Sequence, residues 1–321
     1  MKLVMKIMQV AFCLLFLFAA SGCKSPVPQM QPKNSGQVLY TVTDATGTEL
    51  KFYEKPQRIV SLNVSVDEIL LDLVDSKRIA ALSAMADDAN LCNAAAKAKV
   101  VKGRVNTTNI EGILAMQPDL VVIPDYSMTP VNAMRNAGLK VYICSTPDSL
   151  QGIYSFMESI GSAVGEPERG KAMTNGMQER LDAIRNKVVA NVPENKRLKV
   201  LGMSFMGPMG MKGTFNDVCY YSGVRNALDG VDVPPQSTLS EEKMLELDPD
   251  MIITPSWDYS KEGDPEKFRQ KILNNPLYKN IKAIKTGKVV MLHDNYLLCT
   301  SQYTVKAAEE MAQAAYPELF K

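Results

Sequence analysis

Short apolar runs bounded by turn residues alternate along this chain with longer stretches of helical spacing. RIVSL at 58–62, IAAL at 79–82, LVVI at 120–123 and VYIC at 141–144 are apolar and partly β-branched. That is the pattern of strands covered on both faces of a parallel sheet. Between them, EILLDLV with Ser65 as its cap, an alanine-rich stretch from Ala94 and residues 129–137 read as helices. An opening hairpin, 38–42 and 48–52 about a turn at 44–47, precedes the first core strand. Five strand-helix alternations make one α/β lobe. The pattern then changes: residues 149–164 are helical, and a second helical pattern runs from Gly170 to about Val189. About twenty residues at ~1.5 Å each span roughly 30 Å, enough for a spine between lobes. A second lobe follows, with LKVLGMSF at 198–205, a glycine- and methionine-rich loop at 207–213 and a helix from Phe215 past Tyr220. Another helix at 264–272, KVVML at 288–292 and a closing helix at 305–315 complete it.

One unit occurs twice. TNIEGILAMQPDLVVIP at 108–124 and LSEEKMLELDPDMIITP at 239–255 align at an offset of 131, with Glu111 on Glu242, Pro118 and Asp119 on Pro249 and Asp250, and Pro124 on Pro255. In the first copy Ile113, Leu114 and Met116 suit one helical face, and Pro118 ends the helix because it cannot continue the hydrogen-bond ladder. The repeat predicts two α/β lobes with mainly parallel sheets.

The first 22 residues carry Lys2 and Lys6, an apolar run and small residues before Cys23, which reads as a signal segment too short for a confident membrane span. A cysteine directly after Ala20, Ser21 and Gly22 resembles a bacterial lipobox, which implies a lipid-modified Cys23 as mature N-terminus and a protein anchored to the membrane it has crossed. Residues 23–37 are a proline-rich tether, 38–165 the first lobe, 166–192 the connecting helix and 193–321 the second lobe. The formal charge of +1 becomes −1 without Lys2 and Lys6, so nothing suggests a nucleic-acid surface. Cys92, Cys144, Cys219 and Cys299 remain in an oxidising compartment, where three pairings or four buried thiols are all open.

Catalytic motifs fail one by one. Residues 165–171 match most of a phosphate loop, but Ala172 replaces the magnesium-binding hydroxyl and two glutamates would repel phosphate. Gly202 to Met206 begins like a nucleophile elbow without its second glycine. The single histidine, His293, cannot build a three-histidine metal site and reads as a loop residue. No protein-bound metal or cofactor is expected, and weight shifts from catalysis to binding. Tyr126 and Trp257 each lie two residues past the closing proline of a repeat copy, at the sheet edge where α/β folds bind ligands. With Tyr259, Phe205, Met206, Met209 and Met211 they would offer an aromatic and methionine surface to a large, flat, partly apolar ligand.

The lipobox, the PxRIVSL strand opening at Pro56, the duplicated motif and the long connecting helix together resemble the substrate-binding lipoproteins of bacterial ABC importers. The subtype is the one for ferric siderophores, haem and cobalamin, and the likeness covers essentially the whole mature chain. It implies two α/β lobes joined by one rigid helix, a ligand cleft between them, small closing motions and a monomeric carrier. It also implies that one glutamate on each lobe docks into arginine-bearing pockets of the permease, by position Glu111 and Glu242. A local role is the alternative: acids in a first helical turn are favoured by the helix dipole, and Thr108 and Glu111 have capping-box spacing, whereas Thr238 pairs by spacing with Glu241 and leaves Glu242 without that job. Acidic ferric catecholates would need several cations, for which Arg104 and Lys212 are the nearest candidates; haem would favour Tyr126 or His293 as axial ligand. The neutral aromatic and methionine surface leans toward a metal chelate of the corrinoid type or a neutral siderophore. An exported, lipid-anchored α/β enzyme using the cleft is the alternative from another class, and it lacks a nucleophile-base pair.

Overall fold

The computed structural model describes residues 36–321 apart from 211–212, 232–237, 259 and 261. An antiparallel hairpin, β1 (Tyr40–Thr43) and β2 (Glu49–Phe52), comes first. Asp44 builds its turn by accepting the Thr46 and Thr48 N–H groups at 2.8 and 2.9 Å. Then β3 (Ile59–Ser61), α1 (Val64–Leu73), β4 (Ile79–Ser83), α2 (Ala95–Ala98), β5 (Gly103–Val105), α3 (Ile110–Ala115), β6 (Leu120–Pro124), α4 (Val131–Asn136) and β7 (Val141–Cys144) alternate. Their strands form a parallel sheet of order β5-β4-β3-β6-β7. Asn63, not Ser65, caps α1, its Oδ1 accepting the Ser65 and Val66 N–H groups.

Two helices connect the lobes, α5 (Leu150–Ala163) and the long α6 (Pro167–Asn191). The stretch resembling a phosphate loop is the corner between them: Gly165 takes a left-handed φ of +75° and Pro167 opens α6. The second lobe contains β8 (Lys199–Ser204), β9 (Gly207–Pro208), α7 (Phe215–Tyr221), β10 (Arg225–Asn226), α8 (Glu241–Leu247), β11 (Met251–Thr254), α9 (Pro265–Leu273), α10 (Lys282–Lys285), β12 (Val289–Met291), α11 (Asp294–Leu297) and α12 (Thr304–Ala315). Its parallel strands run in the order β10-β8-β11-β12, with β9 antiparallel to β8.

The two repeat copies match in backbone detail. Each helix is capped by the residue two before its glutamate, the Asn109 Oδ1 accepting the Gly112 N–H and the Ser240 hydroxyl oxygen accepting the Lys243 N–H, so Thr108 and Thr238 are not the caps. Each helix ends in a left-handed non-glycine residue, Gln117 at φ +47° and Asp248 at φ +39°, just before the proline. Each Pro-Asp turn then clasps the neighbouring strand. Asp119 accepts the Gln57 and Arg58 N–H groups at 2.6 and 2.9 Å and donates its own N–H to the Arg58 carbonyl. Asp250 accepts the Lys199 N–H at 2.8 Å and donates its N–H to the Lys199 carbonyl. The aspartate therefore starts an inner strand of its sheet in register with its neighbour. Ile113 in one lobe, and Met244 and Leu247 in the other, are buried over one face of the sheet they precede. Burial of each such side chain contributes about 1.5–3 kcal/mol.

One apolar core runs through both lobes. Met177, Leu181, Ile184 and Val188 of α6 join Ile69, Leu70 and Met157 on one side to Val200, Phe215 and Met311 on the other. At Gly161 a Cβ would lie 3.1 Å from the Gly170 Cα, so α5 and α6 touch backbone to backbone. A polar seam adds to this. Glu68, fully buried on α1, accepts the Ser301 hydroxyl and, at 2.6 Å, the Asn93 N–H. Ser65 accepts the Thr300 hydroxyl at 2.8 Å, and the Gln302 amide donates to the Glu68 carbonyl and the Asp72 carboxylate. Asp67, equally buried, accepts the Ser83 N–H and hydroxyl. Cys92, Cys144, Cys219 and Cys299 are four buried free thiols, which settles the pairing question.

Removing the Asp119 clasp should destabilise the chain by about 1–2 kcal/mol and removing the Asp250 clasp by less, because the first satisfies two amides and the second one. Urea unfolding of Asp119→Ala and Asp250→Ala measures the order, and equal losses would contradict it. Burial pushes the Asp67 and Glu68 carboxyls up to about 7, against the hydrogen bonds they accept. A carboxyl with a higher pKa folded than unfolded favours folding while protonated. Stability should therefore fall as pH rises from about 4, where unfolded carboxyls ionise, to about 7, and then level off. In the Asp67→Asn, Glu68→Gln double variant that slope should flatten; an unchanged slope in thermal unfolding across this range would rule it out.

Candidate functional site

Parallel strands bring all their carboxyl ends to one edge of a sheet, and ligands of open α/β folds bind there, where neighbouring strands send their connections in opposite directions. In the first lobe every strand of the sheet contributes just past its end. Asn63 follows β3, Met85 follows β4, Thr107 follows β5, Tyr126 follows β6 and Thr146 follows β7, and all line a cavity of about 450 Å³. In the second lobe Phe205 and Met206 after β8, Trp257 after β11 and Asp294 after β12 line a cavity of about 300 Å³. Val64, Ser65 and Leu298 line both, so the cavities are adjoining chambers of one cleft between the lobes.

Tyr126 and Trp257 occupy equivalent switch points, past the end of β6 beside β3 and past the end of β11 beside β8. Asn63 serves two purposes in the first: its Oδ1 caps α1, and its Nδ2 donates to the Tyr126 hydroxyl at 2.6 Å. Burial pushes the Tyr126 phenol up against that hydrogen bond, which keeps it neutral. The ring nevertheless stays 65% exposed, turned to the cleft. The Trp257 loop is held by Asp294, whose Oδ2 accepts the Ser256 and Trp257 N–H groups at 2.7 and 2.9 Å. Burial pushes the Asp294 carboxyl up despite these donors. Phe205 packs edge-on against Phe268 with ring centroids 5.2 Å apart. With Ser204 and Met206 it lines both the Trp257 chamber and a further cavity of about 420 Å³ in the second lobe, lined by Met203, Met244 and Tyr278 among others.

The residues expected at the site divide into three groups. Tyr126, Trp257, Phe205 and Met206 line the cleft. Met209 does not: its N–H donates to the Gly202 carbonyl at 2.8 Å and its side chain packs against the core. Tyr259, Met211, Lys212 and the lipobox Cys23 lie outside the described residues. The cleft also contains residues that the sequence patterns do not single out. Asn63 and Asp294 carry the hydrogen bonds that hold the two aromatics, and Met85 and Leu298 present exposed apolar side chains. Only Asn63 left a trace, as a capping residue ahead of a helical pattern.

The charge of the described cleft lining is one-sided. Among the described residues no lysine, arginine or histidine lines either chamber, whereas Asp258 and Asp294 do. Arg104 forks onto Asp87 at 2.9 and 2.7 Å and also donates to the Ala98 and Val101 carbonyls. His293 is bound through Nδ1 to Glu310 at 2.6 Å. Glu111 and Glu242, each at the second position of its helix, are exposed and make no hydrogen bond or ion pair among the described residues. Neither do the described residues hold a group of three or more His, Cys, Asp or Glu side chains placed for a metal ion, and none of their helices is long and apolar enough to cross a membrane.

The profile of the family described as periplasmic binding protein matches residues 59–296. A cobalamin-binding protein of Halobacterium salinarum is 25% identical over 303 residues, covering 92% of this chain and 79% of the relative. An uncharacterised ABC transporter substrate-binding lipoprotein of Bacillus subtilis is 22% identical over 321 residues, with 97% of each chain covered. The crystal structure of a periplasmic binding protein from Veillonella parvula superposes with a TM-score of 0.69 at 19% identity, covering 88% of this chain and 99% of that one. The two parallel sheets, the single long helix between them and the cleft along their facing edges are thus one instance of a shared fold, and by the profile spanning most of its length this chain belongs to the periplasmic binding protein family.

Proposed function

We propose that this chain captures a metal chelate, a corrinoid in the first instance, in the cleft between its lobes and delivers it to the permease of an ABC importer while tethered by lipid at Cys23. The observation that carries the reading is the clustering of exposed apolar side chains on the strand-end edges. Met85, Tyr126, Met206 and Leu298 are 45–66% exposed and all line the cleft, with Trp257 beside them. A folded monomer gathers such residues at an opening when a ligand covers them. Asp258 and Asp294 on the Trp257 chamber favour a ligand with neutral amide or hydroxyl edges there over a ferric catecholate or the carboxylates of haem, because like charges repel. The hydroxyl- and amide-rich first chamber, with Asn63, Thr107, Thr146 and Thr300, suits polar substituents, and the Trp257 chamber suits a flat apolar face. The relatives named for cobalamin and for ABC transport point the same way.

Glu111 and Glu242 are the proposed permease contacts. Both are exposed, without partners among the described residues, and they stand at the same backbone position of the two repeat copies. A carboxylate on each lobe can pair with permease arginines by charge-assisted hydrogen bonds and fix the orientation of the carrier.

Purified mature protein mixed with cyanocobalamin should give a coloured one-to-one complex without chemical change to the ligand; turnover would point to an enzyme. Trp257→Ala should weaken the complex by roughly tenfold or more, since a buried aromatic face contributes most of such a contact. Isothermal titration calorimetry reads both. The Glu111→Gln, Glu242→Gln double variant should bind as the wild type does yet fail to support uptake in cells, and normal uptake would remove the docking assignment.

A further inference from the structure

The two sheets are left differently by the strands β3 and β8. β3 passes almost directly into α1, with Asn63 as the cap, whereas β8 turns back through the antiparallel β9 before α7 begins at Phe215. The cavity of about 420 Å³ lies between that turn, α8 and α9. Native interiors contain few voids larger than a water molecule, and this one exceeds the Trp257 chamber, at about 300 Å³. It is a recess of the size that holds a small molecule. Met244 and Ile272 on its walls are buried, whereas Lys271 and Glu241 are exposed, so the recess is apolar inside and charged at its rim.

The two rim charges are not equally free. Glu241 accepts the Asn275 side-chain amide at 3.1 Å. Lys271, the one cation among the described lining residues, makes no hydrogen bond or ion pair among the described residues. Beside them Tyr278 is 9% exposed and lines the recess, and its hydroxyl likewise has no hydrogen-bond partner among the described residues. Burial, and then the Glu241 carboxylate, push the Tyr278 phenol up, which keeps it a donor. A mostly buried hydroxyl left without an acceptor is unfavourable, and an ammonium at the same recess attracts an anion. We propose that this recess is a second small-molecule site, which takes a monocarboxylate on a short apolar body, such as a medium-chain fatty acid. The carboxylate accepts from Lys271 and Tyr278, and the body lies against Met203, Met244 and Phe268. Ser204, Phe205 and Met206 are shared with the Trp257 chamber, but neither Lys271 nor Tyr278 lines the cleft, so the two sites take different chemistry.

Octanoate is the probe, and 1-octanol, the same body without the charge, is its control. In isothermal titration calorimetry octanoate should bind the mature protein one-to-one, roughly tenfold or more tighter than octanol. Lys271→Gln and Tyr278→Phe should each weaken octanoate by roughly fivefold or more while octanol is held as before. Lys271 is exposed, so its variant keeps the fold, and the melting temperature checks that Tyr278→Phe does too. Trp257→Ala should bind octanoate as the wild type does, because Trp257 lines the cleft and not this recess. No octanoate binding, an octanoate affinity unchanged in both recess variants, or its loss in Trp257→Ala would overturn the assignment. Failure of cyanocobalamin to bind would remove the chelate reading alone, since the recess does not depend on it.

Discussion

A parallel strand cannot be joined to its neighbour by a tight turn. The chain must cross back over a face of the sheet each time, so every strand ends at the same edge and every loop on that edge is free of the task of reversing direction. The rest of this molecule follows from that constraint, met twice. The edge of the first sheet supplies Asn63, Met85, Thr107, Tyr126 and Thr146, each two positions past the end of its strand, and the edge of the second supplies Phe205, Trp257 and Asp294. Because crossovers occupy the faces, apolar side chains left over at the edges cannot be covered by the chain itself. They form the cleft.

What keeps the two edges opposed is covalent in only one place and physical in many. A linker helix alone would let the lobes swing. Here α6 has its apolar face inside a core that takes in residues of both lobes, and α5 lies against it without side chains between their glycines. The seam between Glu68 and Ser301, Ser65 and Thr300, and Asp72 and Gln302 adds fixed polar contacts beside the floor of the cleft. Large hinge closure would have to break that core and leave the buried Glu68 carboxylate without its Ser301 donor. Small adjustments of the loops Phe205–Met206 and Ser256–Trp257 do not.

The large-scale organisation was legible in the chain because it rests on periodicity. Apolar runs of four or five residues, prolines that end helices and a repeat at an offset of 131 all survive as patterns in one dimension, and they located β6, β11, Tyr126 and Trp257. The supporting shell was not legible, because it depends on distance. Nothing near Asp294 in sequence says that it will reach Ser256, 38 residues earlier, and nothing near Leu298 says that it will face Val64 across the cleft. Met209 failed for the opposite reason. It sits in a loop of exposed-looking composition, but the short antiparallel pairing of β9 with β8 folds that loop back onto the core. Caps were misplaced by one or two positions at Asn63, Asn109 and Ser240, since several hydroxyl and amide side chains compete near each helix start and only the backbone angles choose among them.

The left-handed residues Gln117 and Asp248 have a consequence of another kind. Neither is glycine and the two are chemically unlike, yet both copies bend there before the same Pro-Asp turn. What the two halves hold in common is therefore a path rather than a side chain, and a bent, clasped path is stiff. Each repeat copy behaves like one leg of a pair of callipers, with a glutamate at one tip and an aromatic ring at the other. Because one core holds both legs, the rings can shift with their loops around a guest while the spacing of the two glutamates on the outside stays the same, and the outer face reads as one fixed gauge.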